Sequence, residues 1–302
     1  MAITVLAGSV PGAWAGGQTV RGSIEVGGLR RTYGVHVPAS LRGNEPAALV
    51  LVFHGGGGDG AGVERLTHFS EPADREGFLV VYPDGFAKNW NDGRDASVSK
   101  AHRDNIDDVG FISALIGSLT QQYRVDPKRV FATGISNGGI FSHYLAAHLC
   151  QRIAAIAPVA GGIAEEFRGA FKPSSPVSVL ILQGTGDPLV LYHGGGILRG
   201  KRGRIIDTDQ AVKLWVKTDG CGPQPRTGAL PDSDPNDGCL VRWSTWGNGR
   251  DGSEVTLYTI EGGGHTWPGG AQYLPAFVIG RVCRDFDGTE AIWAFFKAHP
   301  KP

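Results

Sequence analysis

The 302-residue sequence has no surplus of either charge: 29 lysines and arginines stand against 29 aspartates and glutamates. A basic field for nucleic acid and a solvating acidic tail are both excluded by that balance. No apolar run reaches the roughly 18 residues that a membrane-spanning helix requires. No segment repeats at a fixed period, which excludes solenoids and propellers. Cysteine is scarce, at four residues, and no two of them stand in a C-x-x-C spacing, so no structural zinc or other metal site is expected. What the chain does have is glycine, 47 residues of it, gathered at the ends of apolar runs.

The beginning of the chain stands apart. Ala2 to Val10 is a short apolar run, and Ala13-Trp14-Ala15 fits a small-x-small cleavage site, although a positive n-region is missing. Residues 1–18 are therefore expected to be a signal-peptide remnant or N-terminal extension, residues 19–302 one catalytic domain, and the protein secreted or periplasmic. Cys221 and Cys239 bracket a turn-rich loop and are the expected disulfide, whose closure would stabilise by roughly 3 kcal/mol. Cys150 and Cys283 stay open between free thiols and a second bridge. Within that loop, D-S-D-P-N-D-G resembles the start of a calcium-binding loop. Counted from Asp232, however, the sixth position is Asp237 where glycine is needed and the twelfth is Trp243 where glutamate is needed, so calcium is rejected.

Taken in order, the chain alternates strand and helix signals. Thr19 to Val26 and Arg30 to Val37 alternate apolar and polar residues around Gly27-Gly28, a hairpin signal. Ala47 to Phe53 is continuously apolar, as in a buried parallel strand, and runs into His54-Gly55-Gly56-Gly57-Gly58. Val63 to Arg75 reads as a helix and Phe78 to Val81 as a strand. Asp107 and Asp108 precede a helical run to Tyr123, and capping suffices to explain them. Arg129 to Gly139, RVFATGISNGG, is a strand, a tight turn and a helix start. Ile153 to Ala160 and Val177 to Leu182 are further strands, the second leading to Asp187. Glu254 to Ile260 is the last strand and leads into a glycine-rich loop carrying His265. Asp287 to Ala298 closes the chain as a helix with Ile292, Trp293, Phe295 and Phe296 on its apolar side.

G-I-S-N-G around Ser136 fits the nucleophile elbow, in which a serine is thrust out of a strained strand-to-helix turn. With this much glycine the pentapeptide alone is weak, at roughly 0.4 chance matches per chain for the G-x-S-x-G pattern. Its context is what carries weight. Ser136, Asp187 and His265 each follow a strand, and Ser…Asp…His is the chain order of the α/β-hydrolase fold. Alternating strands and helices independently argue for a mostly parallel sheet flanked by helices. In that setting the glycines after His54 read as an oxyanion loop, and Asn137, the residue after the serine, as a second oxyanion donor.

Several stretches resemble the polyhydroxybutyrate-depolymerase-like esterases and the related feruloyl esterases of carbohydrate esterase family 1. They are HGGGG, REGFLVVYPDG, NWNDGR, DDVGFI, GISNGG, GTGDPLVLYHGG, GGGHTWPGG and RDFDGTEAIWAFF, spread from about Gly22 to Lys297. The resemblance implies an α/β-hydrolase fold and a serine carboxylic ester hydrolase with Ser136 as nucleophile, His265 as base and Asp187 as its orienting acid. It singles out Gly56 in the glycine loop as partner of Asn137. It also suggests Trp90 and Trp267 near the substrate; separately, the Leu189–Arg204 and Cys221–Arg250 segments are expected on the cleft rim, which adds Tyr192 as a third aromatic for the acyl group. The expected partner is an ester: a small ester, a feruloylated saccharide or a polyester oligomer. The chemistry needs no metal or organic cofactor, and a monomer is expected. Two other classes share these residues: a serine peptidase, and a non-catalytic saccharide- or polyester-binding protein on a hydrolase fold.

Overall fold

Two glycines form the first turn. Gly27 and Gly28 hold φ of 59° and 77°, the doubly left-handed pair of a type I′ turn. They join β1 (Gln18–Val26) to β2 (Leu29–Val37) antiparallel. The computed structural model describes residues 17–41, 46–97, 99–197 and 200–302, so all but the last two residues of the leader-like stretch lie outside the described residues.

The chain continues through β3 (Ala47–Phe53), buried at every residue, then α1 (Gly60–Thr67), α2 (Ser70–Glu76) and β4 (Leu79–Pro83). The single helix expected over Val63 to Arg75 is thus two. His68 takes a left-handed φ of 54° and its N–H returns to Glu64 O, which ends the first helix. Next come α3 (Lys100–Arg103), α4 (Asp108–Tyr123), β5 (Val125–Ile135), α5 (Asn137–His148), β6 (Ala155–Val159) and β7 (Ser178–Gly184). Asp107 caps α4 through Gly110 N, but Asp108 does more than cap. It is buried and ion-paired with Arg31 at 2.6 Å. A small antiparallel pair of two-residue strands, β8 (Gly195–Gly196) and β9 (Arg204–Ile205), precedes α6 (Thr208–Asp219). The chain ends with β10 (Arg226–Ala229), β11 (Leu240–Trp246), β12 (Val255–Glu261), α7 (Ala276–Ile279) and α8 (Gly288–Ala298).

Ten strands make one sheet in the order β1-β2-β4-β3-β5-β6-β7-β12-β11-β10. The six from β4 to β12 in that order are parallel, with antiparallel pairs added at both edges. Period-two alternation divides β3 between two cores. Leu49, Leu51 and Phe53 face Phe111, Phe141 and Trp215 from α4, α5 and α6. Ala48, Val50 and Val52 face Val63, Ala73, Ile292, Trp293 and Phe296 from α1, α2 and α8. This is the helix–sheet–helix layering of the α/β-hydrolase fold. Among the described residues no helix is long and apolar enough to cross a membrane. Because β3, β5, β7 and β12 run parallel, the residues just past their ends, His54, Ser136, Asp187 and His265, emerge along one edge of the sheet, where open α/β sheets place their sites.

The expected Cys221–Cys239 bridge does not form, and all four cysteines are thiols. The reason is register. Gly222 N bonds Gly247 O beyond the end of β11, whereas Cys239 precedes its start. An extended run of that length holds the two cysteines roughly 25 Å apart, against the ~7 Å between Cα atoms that a bridge allows.

Candidate active site

The turn after β5 is built by steric necessity. Ser136 sits at φ 59°, ψ −122°, a strained conformation for a residue with a side chain. The turn is held by Ser136 N donating to Val159 O at 3.0 Å and Ile140 N to Ser136 O at 2.9 Å. Its two flanking glycines admit no substitute. A Cβ on Gly138 would stand 2.2 Å from Phe53 O, and one on Gly134 would stand 2.6 Å from the same oxygen. The elbow therefore nests against the end of β3, and Ser136 is left half-buried at the mouth of a cavity.

The glycine loop is locked by His54. Its Nδ1–H donates to Gly55 O at 2.7 Å and its Nε2 accepts from Gly85 N at 2.9 Å. Burial keeps this imidazole below its usual range and hence neutral. The loop then distinguishes its own N–H groups. Gly57 N donates to Lys88 O at 2.8 Å and Gly58 N to Gly55 O at 3.0 Å. Among the described residues Gly56 N–H donates to nothing. Gly56 packs beside Asn137 and lines the cavity with it. Asn137 opens α5, where first-turn N–H groups have no helical acceptor.

The acid and the imidazole meet across two loops. Asp187 Oδ2 accepts from His265 Nδ1 at 2.8 Å, while Oδ1 accepts from Leu189 N and Val190 N, each at 2.8 Å. Both side chains are buried. A carboxylate can only accept, so the proton of this bond sits on Nδ1, and in the neutral ring that leaves Nε2 as the acceptor. Close glycine packing makes the meeting possible: a Cβ on Gly184 would stand 2.2 Å from Gly263 O. Tyr273 OH adds a bond to His265 O at 2.8 Å. Ser136 Oγ has no hydrogen bond among the described residues. The structure thus joins His265 to Asp187 directly and leaves Ser136 free at the cavity.

The aromatic expectations are corrected by the structure. Trp90 is fully buried, stacked on Phe141 with centroids 5.0 Å apart and donating Nε1–H to His54 O at 3.0 Å. Trp267 is buried on the opposite side of the sheet against Phe69 and bonds Thr289 Oγ1 at 3.0 Å. Both are core anchors. Tyr192 is half-buried and occupied by Asp209 and Thr259, at 3.1 and 3.2 Å, and burial pushes its hydroxyl up to about 12. None of the three lines the cavity. Its walls include apolar Leu189, Val190 and Ile197 and polar Asn89, Arg94, Ser99, His102 and Arg202, enclosing about 150 Å³. The segment after His265 carries exposed apolar residues instead, Tyr273, Leu274 and Phe277, the last 89% exposed.

One cluster escaped the sequence reading. Asp92 is buried and receives donors only: Arg94 Nε at 3.0 Å to both oxygens, Arg94 Nη2 at 2.7 Å, His102 Nε2 at 2.9 Å and Asn137 Nδ2 at 2.6 Å. Burial by itself would raise this carboxyl. Arg94 and the hydrogen bonds from His102 and Arg94 outweigh it and hold Asp92 well below the usual carboxylate range. The Asn137 side chain also accepts from Trp90 N at 2.8 Å and donates to Trp90 O at 3.0 Å. Asp92 therefore clamps the residue that follows Ser136. Its sequence signal is the acid–glycine–arginine run Asp92-Gly93-Arg94 that follows Trp90 in N-W-N-D-G-R.

The Dienelactone hydrolase family matches residues 37–194. The chain is 32% identical over 282 residues to a putative esterase, NocK, from Nocardia uniformis subsp. tsuyamanensis, covering 90% of this chain and 80% of that one. It is 31% identical to feruloyl esterase B of Piromyces equi over 76% of this chain, which spans only 42% of that relative's length. Among solved structures, an acetyl xylan esterase from Aspergillus awamori superposes with a TM-score of 0.56 at 18% identity, over 78% of this chain and 89% of that one. The native structure of pOPH superposes with a TM-score of 0.55 at 18% identity, over 96% and 89%. At such identity the structural likeness shows the fold.

Proposed function

The chain belongs to the Dienelactone hydrolase family and is a carboxylic ester hydrolase of α/β-hydrolase fold; from that premise we propose that it works by acyl transfer through Ser136, His265 and Asp187. The observation that carries the reading is the Asp187–His265 hydrogen bond on the sheet edge that also presents the strained Ser136. Asp187 holds the imidazole with Nε2 unprotonated, ready to take the Ser136 proton as Oγ attacks an ester carbonyl. Asp187 then supports the positive charge that develops. The serine–histidine contact, open in the free protein, closes when substrate fills the cavity. The oxyanion is met by the N–H groups of Gly56 and Asn137. The first is the loop donor left unused, and the second is fixed through its own side chain. Alcohol leaves with the proton from His265, and water, activated by the same imidazole, releases the acid.

The acyl group is compact and carries a polar end. A cavity of about 150 Å³ lined by Leu189 and Ile197 together with Ser99 and Arg202 supports an acetyl or short hydroxyacyl group over a feruloyl group. The leader-like stretch supports work outside the cytoplasm. Side-by-side turnover of p-nitrophenyl acetate, methyl ferulate and a 3-hydroxybutyrate oligomer tests both readings. Ser136→Ala is expected to fold normally and lose turnover on all three, and Asp187→Asn to retain a small fraction of it. Undiminished turnover in Ser136→Ala would refute the nucleophile, and methyl ferulate as the best substrate would refute the compact pocket.

A further inference from the structure

Cys239 stands just before β11, and Cys283 lies in the segment after α7; they are 4% and 1% exposed. Three stretches of chain run side by side there. Leu240 pairs with Glu261, and Gly263 bridges Arg281. Asp237 ties the outer two stretches together, its carboxylate accepting from Cys239 N and from Arg284 N at 2.6 Å each. This geometry turns both thiols into one small apolar cluster with Val241 and Ile260. The two Sγ atoms and a carboxylate oxygen of Asp237 all lie within 4.8 Å of one another. Packing alone asks only for small apolar side chains here, and two thiols facing each other add a chemistry that packing does not require.

We propose that Cys239 and Cys283 are a disulfide-forming pair that staples the His265-bearing segment to the start of β11. The bond forms as the chain folds in the presence of a small-molecule disulfide such as oxidised glutathione. The thiolate of one cysteine attacks that disulfide and expels a first thiol, and the second cysteine attacks the mixed disulfide and expels another. Two S–H bonds are lost, one protein S–S bond is gained, and the two electrons leave in the two small thiols. The bridge closes a loop of roughly 45 residues and is expected to raise Tm by roughly 6 °C. That loop contains β11, β12, His265 and the exposed Tyr273–Phe277 stretch, so the staple restrains the segment that positions the imidazole.

A zinc ion is the competing occupant, because Asp237, Cys239 and Cys283 are three ligands of suitable type. The donor set argues against it. Both Asp237 oxygens are already engaged by backbone N–H groups. The neighbouring Asp285, which accepts from Cys283 Sγ at 3.8 Å, holds Ser233 N and Asp234 N on its other oxygen.

Refolding the full chain in a glutathione redox buffer, followed by alkylation and tryptic mapping without reduction, tests the pair. Trypsin separates Thr227–Arg242 from Val282–Arg284, so a bridge appears as those two peptides joined, with Cys150 and Cys221 alkylated. Four alkylated cysteines, or a link involving Cys150 or Cys221, would overturn the proposal, as would zinc retained in the native mass spectrum. Reductant is expected to lower Tm of the oxidised wild type and to leave Cys239→Ser/Cys283→Ser unchanged. An equal drop in both would show that the bridge contributes nothing. The mapping reads the wild type alone and stands even if the variant fails to fold.

Discussion

Asp92→Asn is the most informative single change, because every group that touches this carboxylate is a donor. The amide is nearly isosteric, yet its nitrogen must face Arg94, His102 or the Asn137 side chain, donor against donor. The substitution also leaves the buried Arg94 guanidinium without a counter-charge. Breaking a buried pair from one side costs about 3–5 kcal/mol. With an m-value near 3 kcal/mol/M for a chain of this size, that is roughly 1–1.7 M of urea midpoint. On the fraction that stays folded, kcat is expected to fall more than KM rises, since Asn137 loses the clamp that fixes its N–H, and that N–H acts on the transition state. Urea unfolding at pH 7.5 and steady-state ester kinetics read the two effects separately. A midpoint within about 0.3 M of wild type, equivalent to less than 1 kcal/mol, would refute the energetic argument. A stable variant with unchanged kcat would refute the link from Asp92 to catalysis.

Three other changes address the steric and electrostatic arguments. Gly138→Ala places a Cβ against Phe53 O and is expected to give insoluble protein, or one about 3 kcal/mol less stable, the upper end of the usual cost of forced overpacking; normal thermal unfolding would contradict the close approach. His143 is fully buried beside Trp215, and burial lowers it to about 3. Its unfolded value is higher, so the unfolded chain binds the proton first as pH falls below about 6.5. Stability is then lost at up to about 1.4 kcal/mol per pH unit down to about pH 3, and His143→Gln is expected to flatten the slope of urea midpoint against pH. Asp219 has the opposite sign: burial raises it to about 7, so stability is lost as pH rises from about 4 to 7. Asp219→Asn is expected to raise Tm at pH 8 and to leave it unchanged at pH 4, by differential scanning fluorimetry.

Local pattern was enough for the central elements, though not for the edge strands β10 and β11, which lie in a segment read as loop. Continuous apolar runs in β3 and β7, alternation around Gly27-Gly28 and the cap at Asp107 follow from backbone chemistry within a few residues, and they read correctly. The order Ser136, Asp187, His265, each just past a strand, was legible for the same reason, because a parallel sheet sends all such ends to one edge. His68 broke the reading of one helix into two through a single left-handed residue, which no periodicity reports.

Tertiary structure decided what depends on residues far apart in sequence. An exposed-looking Trp90 in a polar loop became core because Phe53 and Phe141, from a strand and a helix elsewhere, enclose it. Gly57 was removed as a loop donor by Lys88 O, and Gly56 was left. Cys239 found Cys283 rather than Cys221 because β11 separates the nearer pair along its length while the loop after β12 folds back on the farther one. Sequence carries the periodicities that make strands, helices and turns. Partners across the sheet edge are set by packing, and only the folded chain brings them within hydrogen-bonding or sulfur-contact distance.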